Sequence, residues 1–137
     1  MPSTPPPGEA APADGALPAP ALDALADRPL SLYLHVPFCA TRCGYCDFNT
    51  YTATELGSAP GSSRDAYLRA VRAELDLALD VLGRPPAVRT VFFGGGTPTL
   101  LSAAELTGLL DSVRERFELA PDAEVTTEAN PETLDRE

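Results

Sequence analysis

The stretch "LYLHVPFCATRCGYC", residues 32–46, decides how this chain is read, because it holds all three cysteines of a 137-residue sequence. It begins in a β-branched and aromatic run, "LSLYLHV" at residues 30–36, that reads as a strand ended by Pro37. The cysteines then follow at C-x3-C-x2-C spacing, as Cys39, Cys43 and Cys46. Clustered thiols in a reducing compartment point to metal binding or catalysis rather than to a disulfide framework. Structural zinc sites and four-iron clusters usually take four protein ligands. Three thiolates on a four-iron cube would leave one iron open, as catalytic metal sites leave a position for substrate. The spacing also admits a Cys3His zinc site, with His35 as fourth ligand.

Outward from this loop the pattern is regular. Residues 64–82 show helical periodicity, with Tyr67, Leu68, Val71, Leu75, Leu79 and Leu82 on one face. Gly83 and the prolines after it close that helix. "VRTVFF", residues 88–93, is a second strand, followed by "GGGTPTLLS". A second helix spans residues 102–117, opened by a Ser102/Glu105 capping box and buried through Leu106, Leu109, Leu110 and Val113. "AEVTTEA", residues 123–129, is a third strand. Asn130 as N-cap and Pro131 as first helical residue begin a third helix, and neither needs a further role. Strand, loop and helix in this order give an α/β fold of parallel βα units, here the N-terminal part of a partial barrel that continues beyond the chain.

Residues 1–29 differ. They are rich in Pro and Ala and poor in large apolar side chains, so a disordered tail is expected, with a turn of helix at residues 21–26. The expected organisation is thus a tail over residues 1–29 and an incomplete core domain over residues 30–137. A net charge of −10 argues against a nucleic-acid partner, which requires clustered Lys and Arg. No run approaches the ~18 apolar residues of a membrane span, and the N-terminus lacks a signal or transit pattern. A cytoplasmic location is the expectation.

Two further features fall at strand ends. Three consecutive glycines permit close approach of a ligand to the backbone, although a flexible βα turn needs nothing more. Glu128 closes the third strand, and in parallel β/α folds that end is the functional face. An ordinary solvated acid is the plain alternative. The cysteine loop, the triple glycine and Glu128 should therefore share one rim.

The C-x3-C-x2-C spacing with Tyr45 before the last cysteine resembles the radical S-adenosylmethionine (radical SAM) superfamily. The resemblance implies that Cys39, Cys43 and Cys46 hold a [4Fe–4S] cluster, whose fourth iron takes the amino and carboxylate groups of S-adenosylmethionine. An electron donor reduces the cluster, and the sulfonium is cleaved to methionine and a 5′-deoxyadenosyl radical. Backbone groups of Gly95, Gly96 and Thr97 would meet the methionine end of the cofactor, and Glu128 its amino group or ribose. The stretches "LYLHVPFCATRCGYCDFNTY", "VFFGGGTPTLLS" and "TEANP" further resemble the family that groups oxygen-independent coproporphyrinogen III oxidases with haem chaperones of the HemW type. That resemblance places Tyr33 and Tyr45 along the cluster and cofactor, where core packing is the plain alternative. The oxidases typically carry a further cysteine where this chain has Phe48, so "YCDFN" favours the chaperone branch. The implied role is binding haem for delivery to haem-requiring respiratory proteins. The alternatives are decarboxylation of coproporphyrinogen III in porphyrin biosynthesis and, from another class, a zinc-stabilised structural module.

Overall fold

The computed structural model describes residues 10, 12–58 and 62–134. Residues 1–9 and 11 of the expected tail, and the last three residues of the chain, lie outside this set. Within the tail, α1 (Ala19–Asp23) runs directly into a 3-10 turn at Ala24–Asp27. Leu22 and Leu25 of this segment line a shallow hollow together with Val81 and Leu82.

Three parallel strands form the sheet, in the order β1 (Leu30–Val36), β4 (Val88–Gly95), β5 (Leu119–Thr127). Register sets Leu34 beside Phe93 and Val91 beside Val125, so the alternating apolar residues share one face. Leu34, Val36, Val91 and Phe93 of that face are buried together with residues of α3 (Arg64–Leu82) and α4 (Ala103–Arg114). Leu109 and Val113 of α4 are fully enclosed. Burying each such side chain contributes ~1.5–3 kcal/mol, which fixes the helices on this face. The other face is open, with Tyr33 and Phe92 stacked at a ring separation of 6.0 Å.

Local chemistry accounts for the helix ends. Ser63 accepts a hydrogen bond from the N–H of Ala66 at the start of α3. Gly83 follows α3 with φ +70°, a conformation that costs a side-chain-bearing residue energy. At α4 the capping box is complete, with Ser102 and Glu105 bonding each other's backbone. Asn130 accepts from the N–H of Glu132 as the expected N-cap, but it opens a single 3-10 turn at Pro131–Thr133 in place of the expected third helix, and Leu134 is extended.

The connection between β1 and α3 holds more structure than the long loop read from sequence. β2 (Phe38–Cys39) pairs in parallel with β3 (Tyr51–Thr52), and α2 (Ala53–Leu56) follows at once. Strands of two residues carry no periodicity to read. β5 also begins at Leu119, ahead of the expected Ala123. Pro121 lies in the irregularity between the Leu119 and Glu124 pairings with β4, the kind of break in a ladder where proline is tolerated. Among the described residues no helix is long and apolar enough to cross a membrane.

Candidate functional site

The C-terminal ends of β1, β4 and β5 meet at one rim, and a cavity of ≈ 330 Å³ opens there. Cys39, Cys43, Tyr45 and Cys46 line one side, and Gly95, Gly96 and Thr97 the other. Its size falls within the range of small-molecule sites. Cys39 and Cys46 are half-buried and Cys43 is exposed, all as free thiols.

The glycine turn is shaped by what it packs against. A Cβ on Gly96 would lie 2.5 Å from the Phe38 carbonyl oxygen and 2.7 Å from Cys39 Sγ. Gly95 takes φ +122°, and a Cβ there would meet His35 and the Val36 carbonyl oxygen. The Gly96 N–H donates to the Val36 carbonyl at 2.8 Å and the Thr97 N–H to the Phe38 carbonyl at 2.7 Å. The turn is thus laced to the exit of β1, and this lacing sets Cys39 beside Gly96. The Gly95 N–H donates to Glu128 Oε2 at 2.9 Å. All three N–H groups are engaged, so the expectation that these residues meet a cofactor narrows to their carbonyl oxygens and the Thr97 hydroxyl.

Glu128 sits just past β5, and its own N–H donates to the Phe93 carbonyl at 2.9 Å. It lines an adjoining groove shared with Cys43, Gly95, Gly96 and Thr97. Tyr33 lines neither hollow. In register with Phe92, it lies lower on the open sheet face and is 58% exposed. Its exposure overturns the core-packing alternative for Tyr33, which stands on the open sheet face below the rim. Asn130 and Glu132 do line the cavity, although sequence gave Asn130 only a capping role. The capping turn itself carries them to the rim, which helix-end chemistry alone could not reveal.

His35 is fully committed elsewhere. Its Nε2 lies 2.8 Å from the carbonyl oxygen of Asn49, and its Nδ1 lies 2.8 Å from the Tyr33 hydroxyl. A carbonyl only accepts, so Nε2 carries the proton and Nδ1 accepts from Tyr33. Neither nitrogen is left for a metal, and the Cys3His zinc reading loses its fourth ligand.

Among the described residues no three His, Cys, Asp or Glu side chains are gathered tightly enough for a metal ion. A single zinc ion draws its sulfurs to about 2.3 Å from one point. The donor set on the cavity is three free thiols, the ligand type that iron–sulfur clusters take.

Comparison with known proteins identifies the family. A family model described as the Radical SAM superfamily matches residues 33–137. The chain is 59% identical over 114 residues to the heme chaperone HemW of Mycobacterium tuberculosis H37Rv, covering 83% of this chain and 28% of that protein. It is 45% identical over 107 residues to the heme chaperone HemW of Escherichia coli K12, covering 78% of this chain and 27% of that protein. Among solved structures it is similar to coproporphyrinogen III oxidase from Escherichia coli, described as a radical SAM enzyme. That match has a TM-score of 0.67 and 34% identity, over 84% of this chain and 26% of the oxidase. The chain thus spans little more than a quarter of each.

Proposed function

Because this chain belongs to the radical SAM superfamily, we propose that it forms the N-terminal section of a haem chaperone of the HemW type. In this reading it takes a [4Fe–4S] cluster and S-adenosylmethionine, and the whole protein binds haem for haem-requiring respiratory proteins in the cytoplasm. The observation that carries the reading is the meeting of three cysteines and the glycine turn on one cavity, with Glu128 at its edge.

Cys39, Cys43 and Cys46 would hold the cluster. When bound and reduced by an electron donor, the cluster supplies the electron that opens the sulfonium of S-adenosylmethionine. The chain's own part is to bind and orient. Carbonyl oxygens of Gly95 and Gly96 would accept from the cofactor's ammonium group. The Glu128 oxygen not bonded to Gly95 would accept from the same group or from the ribose. Tyr45 and Phe48, 89% and 62% exposed, would offer flat apolar faces at the cavity mouth.

Anaerobic reconstitution with iron and sulfide tests this directly. A broad charge-transfer absorption is expected, lost in Cys43→Ser; one tightly held zinc and no iron overturns the reading. A second reading, an oxygen-independent coproporphyrinogen III oxidase, rests on the similarity to the E. coli oxidase. Against it stands Phe48, where that branch typically carries a cysteine. The full-length protein should bind haem and form no protoporphyrinogen. Robust turnover of coproporphyrinogen would reverse the order of the two.

A further inference from the structure

Arg42 stands between Cys39 and Cys43 and is the only Lys or Arg in residues 37–58. Its Nε donates to Glu55 Oε1 at 3.0 Å, and its Nη2 donates to the carbonyl oxygen of Thr50. Both acceptors are themselves held. The other carboxylate oxygen of Glu55 accepts from the N–H of Thr52 at 2.7 Å and from its hydroxyl at 2.9 Å. Thr50 is 2% exposed, and the next residue, Tyr51, donates its N–H to the Pro37 carbonyl at 2.7 Å. The Thr50 hydroxyl in turn lies 3.6 Å from Cys46 Sγ. One side chain from the first half of the cysteine loop is therefore fastened to the segment that leaves it, and that segment is fastened to the end of β1.

We propose that Arg42 is a positioning residue: it clasps the cysteine loop shut on Glu55 and Thr50, keeping Cys39, Cys43 and Cys46 along one wall before any metal binds. A loop of this kind buries little apolar surface, and ordering each of its residues costs conformational entropy. Fixed polar anchors must offset that cost. The forked guanidinium serves two acceptors in different directions, which an ammonium group on a flexible stem does not reproduce. The assignment of the three cysteines as ligands rests on the function proposed above; the clasp itself does not.

Hydrogen exchange of the reduced, metal-free full chain reads the clasp alone. Arg42→Ala and Arg42→Lys are each expected to speed exchange at the amides of Cys46, Thr50 and Tyr51 about tenfold, with α3 and α4 unchanged. Glu55→Gln should give a smaller rise, about threefold, because the uncharged acceptor still reaches Arg42. Parent-like exchange in both Arg42 variants overturns the proposal. So does equal acceleration across α3 and α4, which would mark a global role, and so does full restoration by lysine, which would leave charge alone. Iron–sulfide uptake by the same variants is the second measurement, expected at about one-third of parent or less. Loop opening in Arg42→Ala beside a parent that takes up no cluster would sink the function reading and keep the clasp. Cluster uptake by the parent with parent-like loop exchange in the variants would do the reverse.

Discussion

The carboxylate of Glu128 accepts the N–H of Gly95 at 2.9 Å, tying the end of β5 to the end of β4 across 33 residues of sequence. The bond fixes the acid at the rim while leaving its second oxygen available. Glu128→Ala leaves the Gly95 N–H without its acceptor and should lower stability by about 1 kcal/mol, read by urea denaturation. Glu128→Gln can still accept from Gly95 and should fold as the parent does. It should nonetheless weaken S-adenosylmethionine binding to the cluster-loaded protein about tenfold, measured by calorimetric titration. Equal affinity in Gln and parent would return Glu128 to the role of an ordinary strand-end acid.

Two glycines near the cysteines should respond in opposite ways. Gly96→Ala forces a methyl group to 2.5 Å from the Phe38 carbonyl oxygen, while a methyl on Gly44 meets nothing within 4 Å. The first change should cost on the order of 1–3 kcal/mol and reduce cluster uptake, because Cys39 must shift. Gly44→Ala, although it sits between Cys43 and Tyr45, should melt and load as the parent does. Thermal melts with iron quantification decide the matter, and a stable Gly96→Ala would refute the packing account.

Tyr33 separates a structural role from a cofactor role. Its hydroxyl serves His35, which holds the Asn49 carbonyl beyond the last cysteine. Tyr33→Phe should lower stability by about 0.5–1.5 kcal/mol and leave S-adenosylmethionine affinity within twofold of the parent, roughly the scatter such a remote change allows. A selective loss of affinity at unchanged stability would place Tyr33 beside the cofactor.

At high pH, Tyr67 sets a limit. Burial first, then the charges of Glu74 and Tyr33, pushes its phenol from 10.0 up to about 12. Its hydroxyl donates to the His35 carbonyl at 3.0 Å, a bond that requires the protonated form. A folded-state pKa above the unfolded one means stability that is full below about pH 10 and is lost as pH rises toward about 12. Denaturation midpoints across that range should fall more steeply in the parent than in Tyr67→Phe, and parallel curves would exclude the effect.

Much of the fold was legible because its causes are local. The six apolar positions from Tyr67 to Leu82 recur at helical spacing, Ser102 and Glu105 form a capping box within one turn, and Gly83 marks a helix end. Such features need no partner distant in sequence. β2 and β3 were not legible, since Phe38 and Tyr51 pair only once the cysteine loop has folded back. The same holds for the start of β5, where Pro121 sits in an irregularity of the pairing with β4.

For the site, the sequence by itself determined the ingredients: three thiols at a cluster-like spacing, three glycines after one strand and an acid after the next. Parallel β/α order alone required all of them to end on one rim. Only the tertiary structure decided which groups remain free there. It engaged the N–H groups of Gly95, Gly96 and Thr97, occupied both nitrogens of His35, left Tyr33 on the open sheet face and brought Asn130 and Glu132 to the cavity. Hydrogen-bond partners 14 to 33 residues apart in sequence, His35 with Asn49 and Gly95 with Glu128, follow from strand register and chain closure. No local pattern of residue types encodes them.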